Sequence, residues 1–424
     1  VRQKQSEAHV KIGIDPVIAS RINKAWGALT EEQQKAIMPM LLKAHQQAVT
    51  ASQERIAPQP DPTVDHNLLL VHSALTGDRD GVVSGLDAGV VVDVDPAGQI
   101  WGTEKYEQLD PGWAEAGAVW LENVFKGKHE FPNNPPTIAI PDYVQIAMAG
   151  DWGTGDWRSP GNPAPSTDVM RHMDFLEPHL TVHLGDVYYA GTSDQEQHLL
   201  VNLWRPGSKG SLTLNSNHEM YSGGTPYFDV ALAAPLFALQ QRSSFFVLEN
   251  ANWVIVGLDS AYYASEAEMY LAGSLGSDGV QLGFLKAQVA KDRKVIVLTH
   301  HNGLSQDGKS KTTLWDQVLS AFPAGQGPAL WYWGHVHAGI VYQPQSPQPG
   351  SPPSVLCRCC GHGALPWGQA SELASNPNVR WYENRLAHDP EIQKRVLDGF
   401  AVLYLNGPDI NEVFYDENGG AAWP

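Results

Sequence analysis

Cysteine is nearly missing from this chain: 424 residues hold three, all in Cys357-Arg358-Cys359-Cys360. Three clustered thiols cannot make a disulfide framework. A metal knuckle completed by His362 would need its thiols on one side, whereas Cys359 and Cys360, as neighbours on a strand, point to opposite faces. The cluster therefore reads as a partly buried strand, Val355 to Cys360, with Cys as a small apolar filler. Positive charge is scarce too. Lys and Arg number 28 against 46 Asp and Glu, a net charge of −18, which excludes a broad basic surface for nucleic acid. No apolar run comes near the ~18 residues of a membrane-spanning helix. The first residues, Val1 to Gln5, carry no apolar signal-peptide core. With Val rather than Met at position 1, a cytoplasmic protein and a processed, secreted one both stay open. There is no Walker-type phosphate loop, nucleophilic Ser elbow or catalytic Cys signature, and Gly153-Thr154-Gly155 lacks phosphate-loop spacing.

What is present is an apolar share of 42% with 40 Gly and 30 Pro, a globular, turn-rich chain long enough for one large α/β domain and an extra module. Residues 1–135 form that N-terminal accessory region. Thr30-Glu31-Glu32-Gln33 is a capping-box pattern opening a helix with Ile37, Met38, Leu41 and Leu42 at helical spacing. Ala57 to Pro62 reads as a linker. Gly89 to Asp95 and Ile100 to Gly102 read as a hairpin, and Trp113 to Phe125 as a helix. From 136 to 424, strands and helices alternate. Helices are expected over Asp168 to Leu176, Gly279 to Ala290 and Thr313 to Ala321. Strands precede or follow them at 144–148, 180–184, 294–299 and 329–333. Antiparallel pairs are expected at 245–248 with 253–256, and at 400–405 with 412–415. Such mixed patterns suit an α/β fold of two packed mixed sheets flanked by helices.

Five apolar strands end in polar blocks, the position where open α/β sheets build their sites. The blocks are Gly150-Asp151-Trp152-Gly153, Gly185-Asp186-Val187-Tyr188-Tyr189, Asn217-His218-Glu219, His300-His301 and Gly334-His335-Val336-His337. In this order they resemble the calcineurin-like metallophosphoesterases, and among those the purple acid phosphatases of the tartrate-resistant type. The resemblance covers motifs over roughly residues 140–345, with plausible strands to about 415.

It implies a four-layer sandwich and a dinuclear metal-dependent hydrolase of phosphate esters, in which a hydroxide held by the metals attacks phosphorus. Phosphomonoesterase activity leads. A phosphodiesterase on the same scaffold and a non-catalytic binding module are the alternatives. The first metal would take Asp151, Asp186, Tyr189 and His337; the second would share Asp186 and take Asn217, His300 and His335. Many family members carry a His where Gly153 stands here, and Tyr189 is the donor that purple acid phosphatases use instead. A phenolate favours a trivalent ion, so Fe(III) is implied there, with Fe(II), Zn(II) or Mn(II) at the second position. His218 would contact the phosphate or protonate the leaving oxygen, work suited to an imidazole near neutrality. His300 and His301 are not separable by chemistry; the family's ligand comes first, and His301 would then face the substrate. Ser216 stands where the family has Gly. The implied partner is a small phosphorylated substrate; no oligomeric state is implied.

Overall fold

The computed structural model describes residues 13–54, 67–76, 93–158, 161–277 and 279–424. The expected linker at Ala57 to Pro62 and the hairpin residues Gly89 to Val92 lie outside them. Thr30 and Gln33 do form the capping box: Gln33 N donates to Thr30 Oγ1 at 3.2 Å and Thr30 N to the Gln33 side chain at 2.9 Å. It opens α2 (Glu31–Glu54), between α1 (Pro16–Ala28) and α3 (Asn67–Leu75). Near 95, only Val94 and Ile100 pair, closing a turn in which Asp95 accepts from the amides of Ala97 and Gln99. Helix α4 (Trp113–Asn123) follows.

The rest is two mixed sheets. The smaller has the order β14-β13-β12-β2-β3-β4, the larger β1-β5-β6-β7-β8-β10-β9-β11. Within the smaller, β2 (Tyr143–Ala149), β3 (Leu180–His183) and β4 (Gly210–Thr213) run parallel, while β12 (Gly399–Asn406) pairs antiparallel with both β2 and β13 (Asp409–Asp416). In the larger, β5 (Phe246–Glu249) and β6 (Trp253–Gly257) form the expected antiparallel pair. Beyond β6 come β7 (Lys294–Leu298), β8 (Leu330–Trp333) and β10 (Leu356–Cys360), all parallel. Short β1 (Thr137–Ala139), β11 (Val379–Tyr382) and β14 (Ala421–Trp423) lie at edges, and β9 (Gly339–Tyr342) pairs antiparallel with both β10 and β11.

The unbroken apolar run Val295 to Leu298 shows why these strands lie inside: a strand covered on both faces has no polar side. Ile296 and Leu298 face the other sheet, meeting Ile146, Met148 and Leu403. Val295 and Val297 face outward, under Leu285 of α8 (Val280–Val289) and Leu314 and Trp315 of α9 (Thr313–Leu319). On the far side, α5 (Pro165–Phe175) lays Val169, Met170 and Met173 on Ala147, Phe400 and Val402. Helix, sheet, sheet, helix: the expected layers are present. Among the described residues, the N-terminal helices form no core of their own. Ile22, Leu41, Leu68, Trp113 and Trp120 share one apolar cluster with Tyr188 and Tyr189, in the turn after β3, and with Met220 and Tyr221, in the short helix after β4.

One buried charge cluster fastens the segment before β12. Arg395, 4% exposed, donates to Asp389, Asp398 and Glu417. Burial alone would raise the Asp389 carboxyl, but Arg395 and Arg158 hold it down to about 2. Its contribution to stability is thus complete above the ordinary carboxylate range and lost as pH falls through about 2. Arg395→Met leaves two or three carboxylates buried without their cation. We expect a loss of about 3–5 kcal/mol, seen as a lower urea midpoint.

Candidate metal centre

Five strand ends from both sheets converge on one point. Asp151 follows β2, Asp186 follows β3, Asn217 opens the short helix α7 (Asn217–Tyr221) after β4, His300 follows β7, and His335 and His337 follow β8. (The intervening α6, Ser193–Gln195, is a single turn.) Asp151, Asp186 and His335 all have left-handed backbones, with φ of 58°, 79° and 65°. Such a conformation costs about 1–3 kcal/mol at a residue with a side chain, and it clusters where function over-determines the backbone. Tight packing does so here. A Cβ on Gly185 would lie 2.6 Å from His300 Nδ1, and one on Gly334 2.7 Å from Asp151 Oδ2.

His300 shows what the arrangement lacks. Its Nδ1 lies 2.9 Å from the Leu184 carbonyl, which can only accept, so Nδ1 carries the proton. Burial lowers the pKa of His300, so the ring is neutral and Nε2 holds a bare lone pair. That lone pair faces Asn217 Oδ1 at 3.0 Å and Asp186 Oδ1 at 3.3 Å. The Asn217 amide is fixed by its nitrogen, which donates to Tyr221 at 3.1 Å. His335 Nδ1 completes the group, 3.1 Å from Asn217 Oδ1. Asp186 Oδ1 is buried and accepts no hydrogen bond. Acceptors turned on one another in a buried space repel unless a cation lies among them. The donors, one carboxylate oxygen, one amide oxygen and two imidazoles, fit a divalent transition ion.

A second group forms around the other oxygen of Asp186. Asp151 Oδ1 lies 3.3 Å from His337 Nε2, which is 3.8 Å from Asp186 Oδ2. The fourth member differs from expectation. Tyr188 Oη is 2.9 Å from Asp186 Oδ2, 3.3 Å from His337 Nε2 and 3.5 Å from Asp151 Oδ1. Tyr189 is elsewhere: its hydroxyl donates to Asp110 Oδ2 at 2.5 Å. Alternation along an extended strand would have sent Tyr188 away. But residues 188–190 are a turn, so the alternation does not hold. Burial, with Asp110 alongside, raises the Tyr189 pKa and keeps that phenol protonated. The adjacent Tyr in the same motif was the available signal for Tyr188.

At Gly153 there is no room for a side chain, because a Cβ there would lie 2.4 Å from the Asp186 carbonyl oxygen. No His fits. Ser216 is no obstacle in place of Gly: its φ of −134° is extended, and its hydroxyl caps the next turn at His218 N. His218 points its Nε2 inward, 3.9 Å from Asp186 Oδ2, while its Nδ1 meets the Tyr189 carbonyl at 2.7 Å. His301 packs on His335, with ring centroids 4.6 Å apart, but both its nitrogens are engaged, by Ser260 Oγ at 2.9 Å and the Tyr270 carbonyl at 2.8 Å. Nothing is left to meet a substrate, so His301 stands here as a support for His335. The three cysteines are buried, and burial raises their thiols, so they fill space as expected.

Charge within the centre is divided unevenly. Burial and the neighbouring Asp186 push Asp151 well above the carboxylate range. Burial would raise Asp186 as well, but His218 and His337 hold it well below. Burial opposes charge on His337, yet Asp151 and Asp186 raise it to about 9. These shifts relieve the repulsion between the two carboxyl groups through protons on Asp151 and His337.

No protein-family profile matches the chain, and no curated protein matches it. Among solved structures it is similar to GAP50, the anchor in the inner membrane complex of Plasmodium, at 14% identity over 66% of this chain and 87% of that one, with a TM-score of 0.44. It is similar also to a dimetal phosphatase from Danio rerio, at 15% identity over 64% and 95%, TM-score 0.41. A third is the calcineurin-like phosphoesterase YfkN from Bacillus subtilis, at 10% identity over 66% and 92%, TM-score 0.32. Likeness this distant carries no function across. Among the described residues, no helix is long and apolar enough to cross a membrane.

Proposed function

We propose that the chain is a dinuclear metal-dependent hydrolase of phosphate esters, of the calcineurin-like metallophosphoesterase kind. The observation that carries this is Asp186, whose two oxygens face two separate donor groups. Oδ1 meets His300 at 3.3 Å, and Oδ2 meets Tyr188 at 2.9 Å. Asp151, Asp186, His337 and Tyr188 would hold the first ion. Asp186, Asn217, His300 and His335 would hold the second. Together the ions would neutralise charge on a phosphoryl group and supply an activated water. A phenolate donor suits Fe(III) in the first position; the imidazole and amide set suits Fe(II), Zn(II) or Mn(II) in the second.

The chain's own residues supply the rest. His218, 4% exposed, presents Nε2 beside the bridging carboxylate. There it can donate a proton to the departing oxygen or hold a phosphoryl oxygen. The sequence motifs favour a monoester. Comparing p-nitrophenyl phosphate with bis(p-nitrophenyl) phosphate on the metal-loaded protein tests this; a strong preference for the diester would move the assignment.

His218→Ala is expected to keep both ions. Turnover of alkyl phosphates should fall about 10²–10⁴-fold, that of p-nitrophenyl phosphate much less, since a good leaving group needs no acid. Equal losses on both substrates would leave His218 only a positioning role.

A further inference from the structure

Tyr189 lies outside the donor groups, yet it is tied at both ends. Its hydroxyl donates to Asp110 Oδ2 at 2.5 Å and accepts from Lys105 Nζ at 2.7 Å. The ammonium also sits 4.5 Å from the ring centroids of Tyr106 and Tyr189. Asp110 is itself held, accepting from Gly112 N at 2.8 Å and Tyr106 N at 2.7 Å. Gly112 is where the approach is closest: a Cβ there would come 2.5 Å from the Tyr189 hydroxyl. At the other end, the Tyr189 carbonyl takes up His218 Nδ1 at 2.7 Å. Trp113, the first residue of α4, closes the group with its ring edge-on to Tyr189 at 4.8 Å and tilted against His218 at 5.9 Å.

We infer that Lys105, Asp110 and Tyr189 are positioning residues that keep the Nδ1 proton of His218 on the Tyr189 carbonyl, so that Nε2, turned to the substrate, is the nitrogen that takes up a proton and gives it to the departing oxygen. The inference rests on the phosphoesterase reading for what His218 does, but the geometry stands without it. A carbonyl can only accept, so its place decides which imidazole nitrogen carries the proton. That place is set by the phenol end of the same residue, held in a chain of charge-assisted hydrogen bonds from ammonium through hydroxyl to carboxylate. The N-terminal region thereby becomes part of the site. Residues 105–113 contribute to how it works through Tyr189 and His218.

The test uses the full chain. Tyr189→Phe keeps the ring and the carbonyl but removes the hydroxyl; Lys105→Met removes the cation from a partly exposed position and guards against a folding defect in the first. Both variants should retain two metal ions. Turnover of alkyl phosphates should fall about tenfold, with p-nitrophenyl phosphate within about twofold, a smaller form of the His218→Ala pattern. Lys105→Arg should restore the wild-type pattern. Spectra of 15N-histidine-labelled, metal-free protein give a readout independent of activity: His218 should be a single Nδ1–H tautomer in the wild type and a mixture in both variants. An unchanged tautomer, or parallel losses on both substrates, would overturn the inference. So would loss of metal from Tyr189→Phe, which would place Tyr189 among the ligands. If the wild type cleaves no phosphate ester, the proposed function fails while the tautomer measurement still decides the positioning role.

Discussion

Tyr188→Phe should bleach an iron-loaded protein, while Tyr189→Phe should leave its colour unchanged. The Tyr188 hydroxyl lies 2.9 Å from Asp186 Oδ2 and near Asp151 and His337, within reach of an ion those residues share. The Tyr189 hydroxyl is engaged by Asp110 and Lys105. A band from phenolate to Fe(III) charge transfer therefore reports on residue 188. In the metal-free protein, burial together with Asp186 and Asp151 raises the Tyr188 pKa, so the phenol is neutral until a cation displaces its proton. Loss of this donor should weaken the first position by at least about 10–100-fold, the range seen for even the supporting residues of metal sites. Gly153 cannot compensate, because no side chain fits there. The measurement is the visible spectrum and metal content of the two variants side by side. A chromophore kept in Tyr188→Phe and lost in Tyr189→Phe would reverse the assignment.

The second large effect is expected from Asp186→Ala. Among the described residues this carboxylate alone has atoms facing both donor groups, Oδ1 toward His300 and Oδ2 toward His337 and Tyr188. Removing it should release both ions rather than one. Activity should drop by more than about 10³-fold, beyond the loss from a single transition-state hydrogen-bond donor. The fold should persist, since the substitution also removes a buried charge that raises the Asp151 pKa. Metal content with a circular dichroism spectrum separates these outcomes. A variant that keeps one tightly bound ion would show that Asp186 belongs to one site only.

That Asp151, Asp186, Asn217, His300, His335 and His337 would converge was legible in the sequence because each follows an apolar strand. Parallel strands bring their carboxyl ends to one edge. The layers were legible for a related reason: Val295 to Leu298 has no polar face to offer water. What spacing did not carry was the choice between neighbours. Tyr188 and Tyr189 differ by one position, and the choice turned on a turn at 188–190 that alternation cannot foresee. His301 looked as free as His300 until Ser260 and the Tyr270 carbonyl, from other parts of the chain, took both its nitrogens. The tie from Asp110 to Tyr189 spans 79 positions and leaves no periodic trace. Local patterns record which strand a residue ends; contacts of that reach arise only when the layers close.

The central claim is two cations at named positions, and anomalous diffraction from crystals soaked in Mn(II) tests it most directly. Two peaks are predicted on either side of the Asp186 carboxylate. One should lie among Asp151, His337 and Tyr188, the other among Asn217, His300 and His335. No peak at either place, or a single one away from Asp186, would contradict the account.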